Sequence, residues 1–239
     1  MSDAQRGPQT AVIFRQFCTR DEDVSYLLAD PVSRYAALVD PHVDAEASYQ
    51  EVLSRLDLSL VYLFETHAHE SHQSAAPVLR AATGARLVTQ SSVDVACVDL
   101  HVDDGETVYV GEEILSVIET PGHSACSMCL RWRDRVFTGH TLLAGVTGSC
   151  TRGDADAGRL FDSVRDGLFM LPDETVVYPG RLVDGRRISS IAQERAINAD
   201  LRPHTSREQF VRCKQREARG GERREGWYLA ANRRCDGGV

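Results

Sequence analysis

Thr66-His67-Ala68-His69-Glu70-Ser71-His72 constrains this chain more than any other stretch. It follows Leu58-Ser59-Leu60-Val61-Tyr62-Leu63-Phe64-Glu65, an apolar, β-branched and aromatic run that reads as a buried strand. Three imidazoles within six residues, at the end of such a strand, are hard to explain by packing. The carboxyl end of a buried strand is where open α/β sheets place their chemistry. Two histidines at i and i+2 can turn toward one point from an extended or tightly turned loop, and neutral imidazole is the commonest metal-binding side chain. The stretch predicts a metal-binding loop.

With 239 residues the chain suits one large domain, or one domain with a helical appendage, and 42% hydrophobic residues supply a sizeable core. A formal charge of −8 argues against a general nucleic-acid binder, which needs a basic face. No apolar run reaches about 18 residues, so no membrane span is expected. The start, Met1-Ser2-Asp3-Ala4-Gln5-Arg6-Gly7-Pro8, lacks the apolar core of a secretion signal. Seven scattered cysteines, an odd number, fit reduced thiols better than a disulfide framework and point to the cytoplasm.

Residues 11–17, 24–29 and 35–40 read as successive strands broken by Arg20-Asp21-Glu22-Asp23 and Asp30-Pro31-Val32-Ser33-Arg34. Ala45, Val52, Leu53 and Leu56 stand at helical spacing and predict a helix over 44–56. After the histidine loop come a helix over roughly 73–82, ended by Thr83-Gly84, and a short strand over 85–89. Short strands follow at 107–110, 114–120, 127–132 and 135–138. Helices over 157–170 and 187–199 enclose a strand over 175–178. A last helix from about Ser206 leads into a charged, Gly-rich tail, Arg216 to Gly226, which is expected to be mobile in part and which Trp227-Tyr228-Leu229 could dock. The acidic stretch Asp99 to Glu106, with His101, reads as a solvated loop. Two strand-rich halves, each followed by helices, predict two sheets packed face to face under outer helices. Residues 1–205 form the expected domain, with 206–239 a C-terminal helix and tail packed on it.

His123, in Thr120-Pro121-Gly122-His123-Ser124, and His140, in Phe137-Thr138-Gly139-His140-Thr141, each directly follow a strand and a glycine. Glycine there lets the backbone turn sharply and another group approach closely. With the 67–72 cluster they repeat one arrangement, an apolar strand ending at an imidazole.

On these residues the chain resembles the metallo-β-lactamase superfamily, whose pattern is Thr-His-x-His-x-Asp-His, then a Pro-Gly-His strand end, a Gly-Asp strand end and a late Pro-Gly/Ala-His. The likeness spans about residues 11–200. Within the superfamily it is most similar to the persulfide dioxygenases, through Val136-Phe137-Thr138-Gly139 before Thr141-Leu142-Leu143, and Tyr178-Pro179-Gly180 before Gly185-Arg186-Arg187-Ile188-Ser189-Ser190-Ile191. Glu194, Asn198-Ala199-Asp200-Leu201, Ser206-Arg207-Glu208-Gln209-Phe210-Val211 and Ala231-Asn232-Arg233-Arg234-Cys235 extend it. The resemblance implies an α/β fold of the αβ/βα sandwich type, two packed mixed sheets with outer helices, holding one non-haem iron. Its iron ligands map onto His67, His123 and His140, so that the usual carboxylate becomes a third imidazole. The aspartate of a second metal position is Ser71 and the late histidine is Arg181, which leaves only His69 and His72 there; one Fe(II) per chain is the expectation. The glutathione-holding Gly-x-Gly-Arg-Thr-Asp-Phe stretch reads Gly145-Val146-Thr147-Gly148-Ser149-Cys150-Thr151-Arg152, with Ser149 at the arginine position, so Arg152 or Arg181 is the candidate anion-binding group.

The resulting expectation is an enzyme that oxidises the sulfur of a small persulfide or thiol with O2. His67, His123 and His140, with His69 beside them, are the candidate metal ligands; His72 and Arg181 are the candidate catalytic groups. Arg181, Ser149, Arg152 and Cys150 are the candidate substrate contacts. Three imidazoles also suit Zn2+ with water at the fourth position, so a mononuclear zinc hydrolase of the thioesterase type is the competing reading, and a catalytically silent relative is the third. Cys126 and Cys129 sit on or entering a strand, where i and i+3 face opposite sides, and read as packing residues rather than a redox pair. No nucleic-acid or membrane partner is expected, and a homodimer is the default assembly.

Overall fold

The computed structural model describes residues 12–93, 95–220 and 227–234. Its first half builds a six-stranded sheet from β1 (Ile13–Cys18), β2 (Val24–Ala29), β3 (Tyr35–Val39), β4 (Ser59–Phe64), β5 (Arg86–Gln90) and β6 (Leu100–Val102), in that spatial order. β1, β2 and β3 pair antiparallel, and β3 through β6 pair parallel. Helices α1 (Glu46–Arg55) and α2 (Ala76–Thr83) supply the β3–β4 and β4–β5 crossovers. A second six-stranded sheet follows, with β7 (Thr107–Val110), β8 (Glu113–Glu119), β9 (Met128–Trp132), β10 (Arg135–Gly139), β13 (Val176–Pro179) and β14 (Ser189–Ser190). A small hairpin, β11 (Leu142–Leu143) and β12 (Val146–Thr147), turns at Gly145. The remaining helices are α3 (Ala157–Asp162), α4 (Ile191–Ile197), α5 (Arg207–Gly220) and α6 (Trp227–Arg234).

The period-two alternation of strands sorts side chains into three layers of core. Val24, Tyr26 and Leu28 of β2 point between the sheets and meet Leu115, Leu130, Trp132 and Phe137 of the second sheet. Leu27 and Ala29 of the same strand point the other way, onto Tyr49 and Leu53 of α1 and Leu79 of α2. β2 is therefore buried on both faces along its whole length, with Ser25 its one buried hydroxyl besides Tyr26. On the far side Cys129, Val136 and Val177 pack under Leu160 of α3 and Phe210 of α5. This is the expected sandwich of two mixed sheets between outer helices.

Several elements differ from expectation. Asp99 to Glu106 is not a solvated loop throughout: Leu100–Val102 pairs with β5 as an edge strand, because Val102 is buried in the inter-sheet core. The helix expected over 157–170 is α3 continued by a π-helical turn at Ser163–Gly167 and a single 3-10 turn at Leu168–Met170. The helix expected over 187–199 starts later. Ser189 and Ser190 extend the second sheet, and the Ser190 hydroxyl then caps α4 by accepting from the Gln193 N–H. In the tail, 216–220 belongs to α5 and 221–226 lies outside the described residues.

Cys126 and Cys129 enter different clusters, the former with Ala68 and Val93, the latter under α3. Cys97 is disulfide-bonded, which corrects the expectation of reduced thiols throughout. Among the described residues no helix is long and apolar enough to cross a membrane.

Candidate metal centre

His67 leaves β4 in the first sheet; His123 follows β8 and His140 follows β10 in the second. Their ligand nitrogens lie within 4.8 Å of one another. The ring centroids stand 4.9 to 5.1 Å apart pairwise. Two glycines permit this convergence. Gly139 has φ of 48°, and a Cβ there would stand 2.3 Å from Thr66 Oγ1, so the strand end bearing His140 can press against the loop bearing His67. Gly122, at φ of 149°, sits equally close to the backbone of Leu160 in α3.

The hydrogen bonds behind these rings decide which nitrogen faces inward. Thr66 Oγ1 donates to Asp40 Oδ2 at 2.8 Å, so its oxygen is free to accept from His67 Nδ1, 3.0 Å away. His123 Nδ1 donates to the Ser149 carbonyl at 2.8 Å, and its Nε2 is buried with no partner. A ring held by Nδ1–H carries its lone pair on Nε2, the arrangement found behind metal-bound histidines. Burial pushes the pKa of His123 down to about 4, and those of His67 and His140 well below the ordinary histidine value, with neighbouring positive groups adding to the effect. Three neutral imidazoles with ligand nitrogens within 4.8 Å of one another fit a divalent first-row ion. An orphaned, buried Nε2 costs about 1–3 kcal/mol unless something binds it.

His69 belongs to a different group from His67, His123 and His140. Its Nε2 lies 2.7 Å from Glu65 Oε2 and 3.1 Å from Asp40 Oδ1, all three residues being buried. Burial opposes charge on the ring, but the two carboxylates outweigh it and push the pKa up to about 10. Ligand atoms of Asp40, Glu65 and His69 lie within 4.8 Å of one another. Glu65 in turn accepts from the Ser74 hydroxyl, and Asp40 accepts from the Thr66 N–H at 2.7 Å. The trio is an ionic scaffold under the histidine loop.

His72 also stands apart from the first three rings. It stacks on His42 with centroids 3.6 Å apart, and Asp23 completes this group, its ligand atoms again within 4.8 Å. Burial pushes the His42 pKa down to about 3 and that of His72 well below the ordinary value. Sequence reasoning missed Asp23, His42, Asp40 and Glu65. One signal was available: Val39-Asp40-Pro41-His42 repeats the strand-then-imidazole arrangement.

Arg181 sits at the rim with its side chain 35% exposed, its Nη1 3.4 Å from Asp23 Oδ1 and Nη2 donating to the Asp21 carbonyl at 3.0 Å. Arg152 is not an open anion site. It is buried, donates to the Ala68 carbonyl at 2.6 Å and pairs with Asp154, so it pins the histidine loop. Ser149 contributes its carbonyl to His123, while its side chain is exposed beside Thr151. Cys150 packs with the α3–α5 cluster, where burial raises its pKa to about 11.

A profile of the metallo-beta-lactamase superfamily matches residues 20–181. Persulfide dioxygenase ETHE1, mitochondrial, of Homo sapiens is 30% identical over 217 residues, covering 87% of this chain and 83% of the relative. A hydroxyacylglutathione hydrolase of Polaromonas sp. is 32% identical over 162 residues, covering 65% of this chain and 60% of the relative. The crystal structure of ETHE1 from Myxococcus xanthus superposes with a TM-score of 0.89 at 35% identity, covering 95% of this chain and 100% of that one. The chain belongs to the metallo-beta-lactamase superfamily and, within it, to the family of the persulfide dioxygenases.

Proposed function

We propose that this chain is a non-haem iron dioxygenase that oxidises the sulfur of a small persulfide or thiol with O2 at the His67–His123–His140 centre. The observation that carries the reading is the convergence of three neutral imidazoles, two buried and one half-buried, in a chain related to persulfide dioxygenases over most of its length. Fe(II) held there would supply the redox chemistry that lets O2 react with a sulfur anion. In the balanced reaction a thiolate and O2 give a sulfinate. Sulfur loses four electrons, O2 gains them, and both oxygen atoms end on sulfur.

The chain's own residues set the conditions. Neutral imidazoles leave a divalent ion with charge near +2, against about +1 for a set with one carboxylate, and so favour an anionic sulfur at the centre. Thr66 and Asp40 hold the His67 ring, and the Ser149 carbonyl holds His123, which fixes the orientation of these two rings. Arg181, partly exposed and 3.4 Å from Asp23, would be the cation that receives a substrate carboxylate.

Metal content of the protein as purified, with O2 uptake over a small panel of persulfides and thiols, tests this reading. Stoichiometric iron with substrate-dependent uptake supports it. Zinc with thioester turnover would replace it by a hydrolase, and a centre that takes up no metal would leave a silent relative.

A further inference from the structure

We propose that Asp23, His42 and His72 form a second divalent-cation site beside the three-histidine centre. The donors this family pattern places at a second metal are altered here, with serine at 71 and arginine at 181. The fold nevertheless brings another set to the same side of the loop. His72 comes from the histidine loop, His42 from the end of β3, and Asp23 from the turn before β2. The proposal revises the expectation of one metal per chain and is independent of which reaction the first centre performs.

Two orphaned atoms point to a ligand. His42 Nε2 and His72 Nε2 are both buried without a hydrogen-bond partner, and His42 is only 2% exposed. The His72 Nδ1 lies 3.2 Å from the Ser71 hydroxyl, so the residue standing in place of the lost aspartate is set to hold this ring by its other nitrogen. The Asp23 carboxylate is buried beside them at 2% exposure. Packed, idle imidazoles would leave two buried nitrogens with nothing to bind.

Each donor is fixed by backbone pairing. Segments 41–43 and 73–75 bond to each other through Ala75 N to the Pro41 carbonyl at 2.8 Å and Val43 N to the Gln73 carbonyl at 3.2 Å, and the Tyr49 hydroxyl accepts from the His42 N–H. Asp23 is held between Val24 N, which donates to the Gly180 carbonyl, and Leu182 N, which donates to the Glu22 carbonyl, both at 2.8 Å. Ligands bonded at about 2.1 Å to one tetrahedral ion stand about 3.4 Å apart. Donors already within 4.8 Å reach that spacing by small side-chain rotations.

Two imidazoles and a carboxylate suit Zn2+, Co2+, Mn2+ or Fe2+ rather than Mg2+ or Ca2+. Asp23 Oδ1 lies 3.9 Å from His140 Nε2, so the two sites adjoin. Arg181 is the built-in competitor. Its guanidinium rests on the carboxylate that the cation would use, but at 3.4 Å and with a partly exposed side chain it can swing away.

The test is titration of the metal-stripped full-length chain with Co2+, read by visible absorption and by metal analysis after desalting. The wild-type chain should take two equivalents. His42→Gln and Asp23→Asn, each checked by circular dichroism, should weaken the second equivalent at least tenfold and leave the first. His123→Ala should do the reverse, and Arg181→Gln should tighten the second at least threefold. Saturation of the wild type at one equivalent, or a second equivalent unmoved by both His42→Gln and Asp23→Asn, overturns the proposal. Because Co2+ is counted without turnover, failure here is separate from failure of the oxygenase reading, which O2 uptake measures.

Discussion

An imidazole at position 140, where the related pattern has a carboxylate, changes charge more than geometry. His140→Asp would replace a neutral donor by an anionic one at the same strand end, behind Gly139. The variant is expected to keep its metal and to change turnover, because a carboxylate lowers the net charge on the ion by about one unit and weakens its hold on an anionic sulfur. Loss of metal on that substitution would contradict the proposed ligand swap. His123→Ala should lose at least tenfold in affinity for the first ion, since it removes the ring whose Nε2 has no other partner. Cysteine chemistry separates as cleanly. Cys129 is fully buried and burial pushes its pKa up to about 12, whereas Cys18 and Cys213 are exposed. A thiol reagent should label Cys18 and Cys213 in the native protein and reach Cys129 only on unfolding; rapid native labelling of Cys129 would show that this core opens. His67, His123 and His140 were legible in the sequence because each ends an apolar strand, and two of them follow a glycine. Asp23 and His42 were not, because what makes them neighbours of His72 is pairing between segments far apart in the chain.

Elements hold the histidine loop from outside. Helix α6 lays Asn232 across it: the Asn232 amide donates to the carbonyls of His69 and His72 at 3.1 and 3.0 Å, and its oxygen accepts from the Ser74 N–H at 3.0 Å. Leu229 of the same helix packs on Ala68, Val93 and Cys126. Asn232→Ala should cost about 1–2 kcal/mol and loosen this loop, read as faster amide exchange over residues 69–74 with the sheets unchanged. Exchange equal to wild type would mean that α6 only covers the loop. The expectation that Trp227-Tyr228-Leu229 docks the tail came from apolar composition alone; which loop it would meet could not be read, since a short helix carries no signal for its partner. Asp30 does comparable work between the β2–β3 and β7–β8 turns, accepting from the N–H groups of Val32, Ser33 and Glu112 at 3.0 to 3.1 Å. Burial alone would raise its pKa, but the Ser33 hydroxyl and these N–H groups outweigh it and bring it down to about 2, from an ordinary 3.8. A carboxylate lowered on folding stabilises above its unfolded pKa and loses that contribution as pH falls through the folded one. Asp30 should therefore supply about 2 kcal/mol that disappears between about pH 4 and pH 2. Urea unfolding of Asp30→Asn should show lower stability at neutral pH and a flatter decline across that window.

At the scale of the whole molecule the metal would act as a clasp between two sheets. His67 comes from the first, His123 and His140 from the second, and an apolar cluster that includes Val24, Tyr26, Leu115 and Trp132 packs between the sheets. The sandwich itself was legible, because strand-rich halves followed by helices leave few other ways to bury two sheets. The three-way partition of ionisable groups was not: His67, His69 and His72 look equivalent in sequence, yet one converges with His123 and His140, one pairs with Asp40 and Glu65, and one joins Asp23 and His42. That division follows from an irregular loop turning successive side chains into different surroundings. A ligand that binds only the folded chain stabilises it by about 4 kcal/mol when present at a thousand times its dissociation constant. For a domain of this size each kcal/mol moves the melting temperature by about 2–4 °C. Thermal unfolding of metal-loaded and chelator-treated protein should therefore differ by about 10 °C, and in His123→Ala the difference should shrink to the share contributed by any remaining ion. Equal melting temperatures in wild-type protein shown to hold stoichiometric metal would mean that the ion binds outside the junction of the sheets, and the three strand ends would then need another reason to converge.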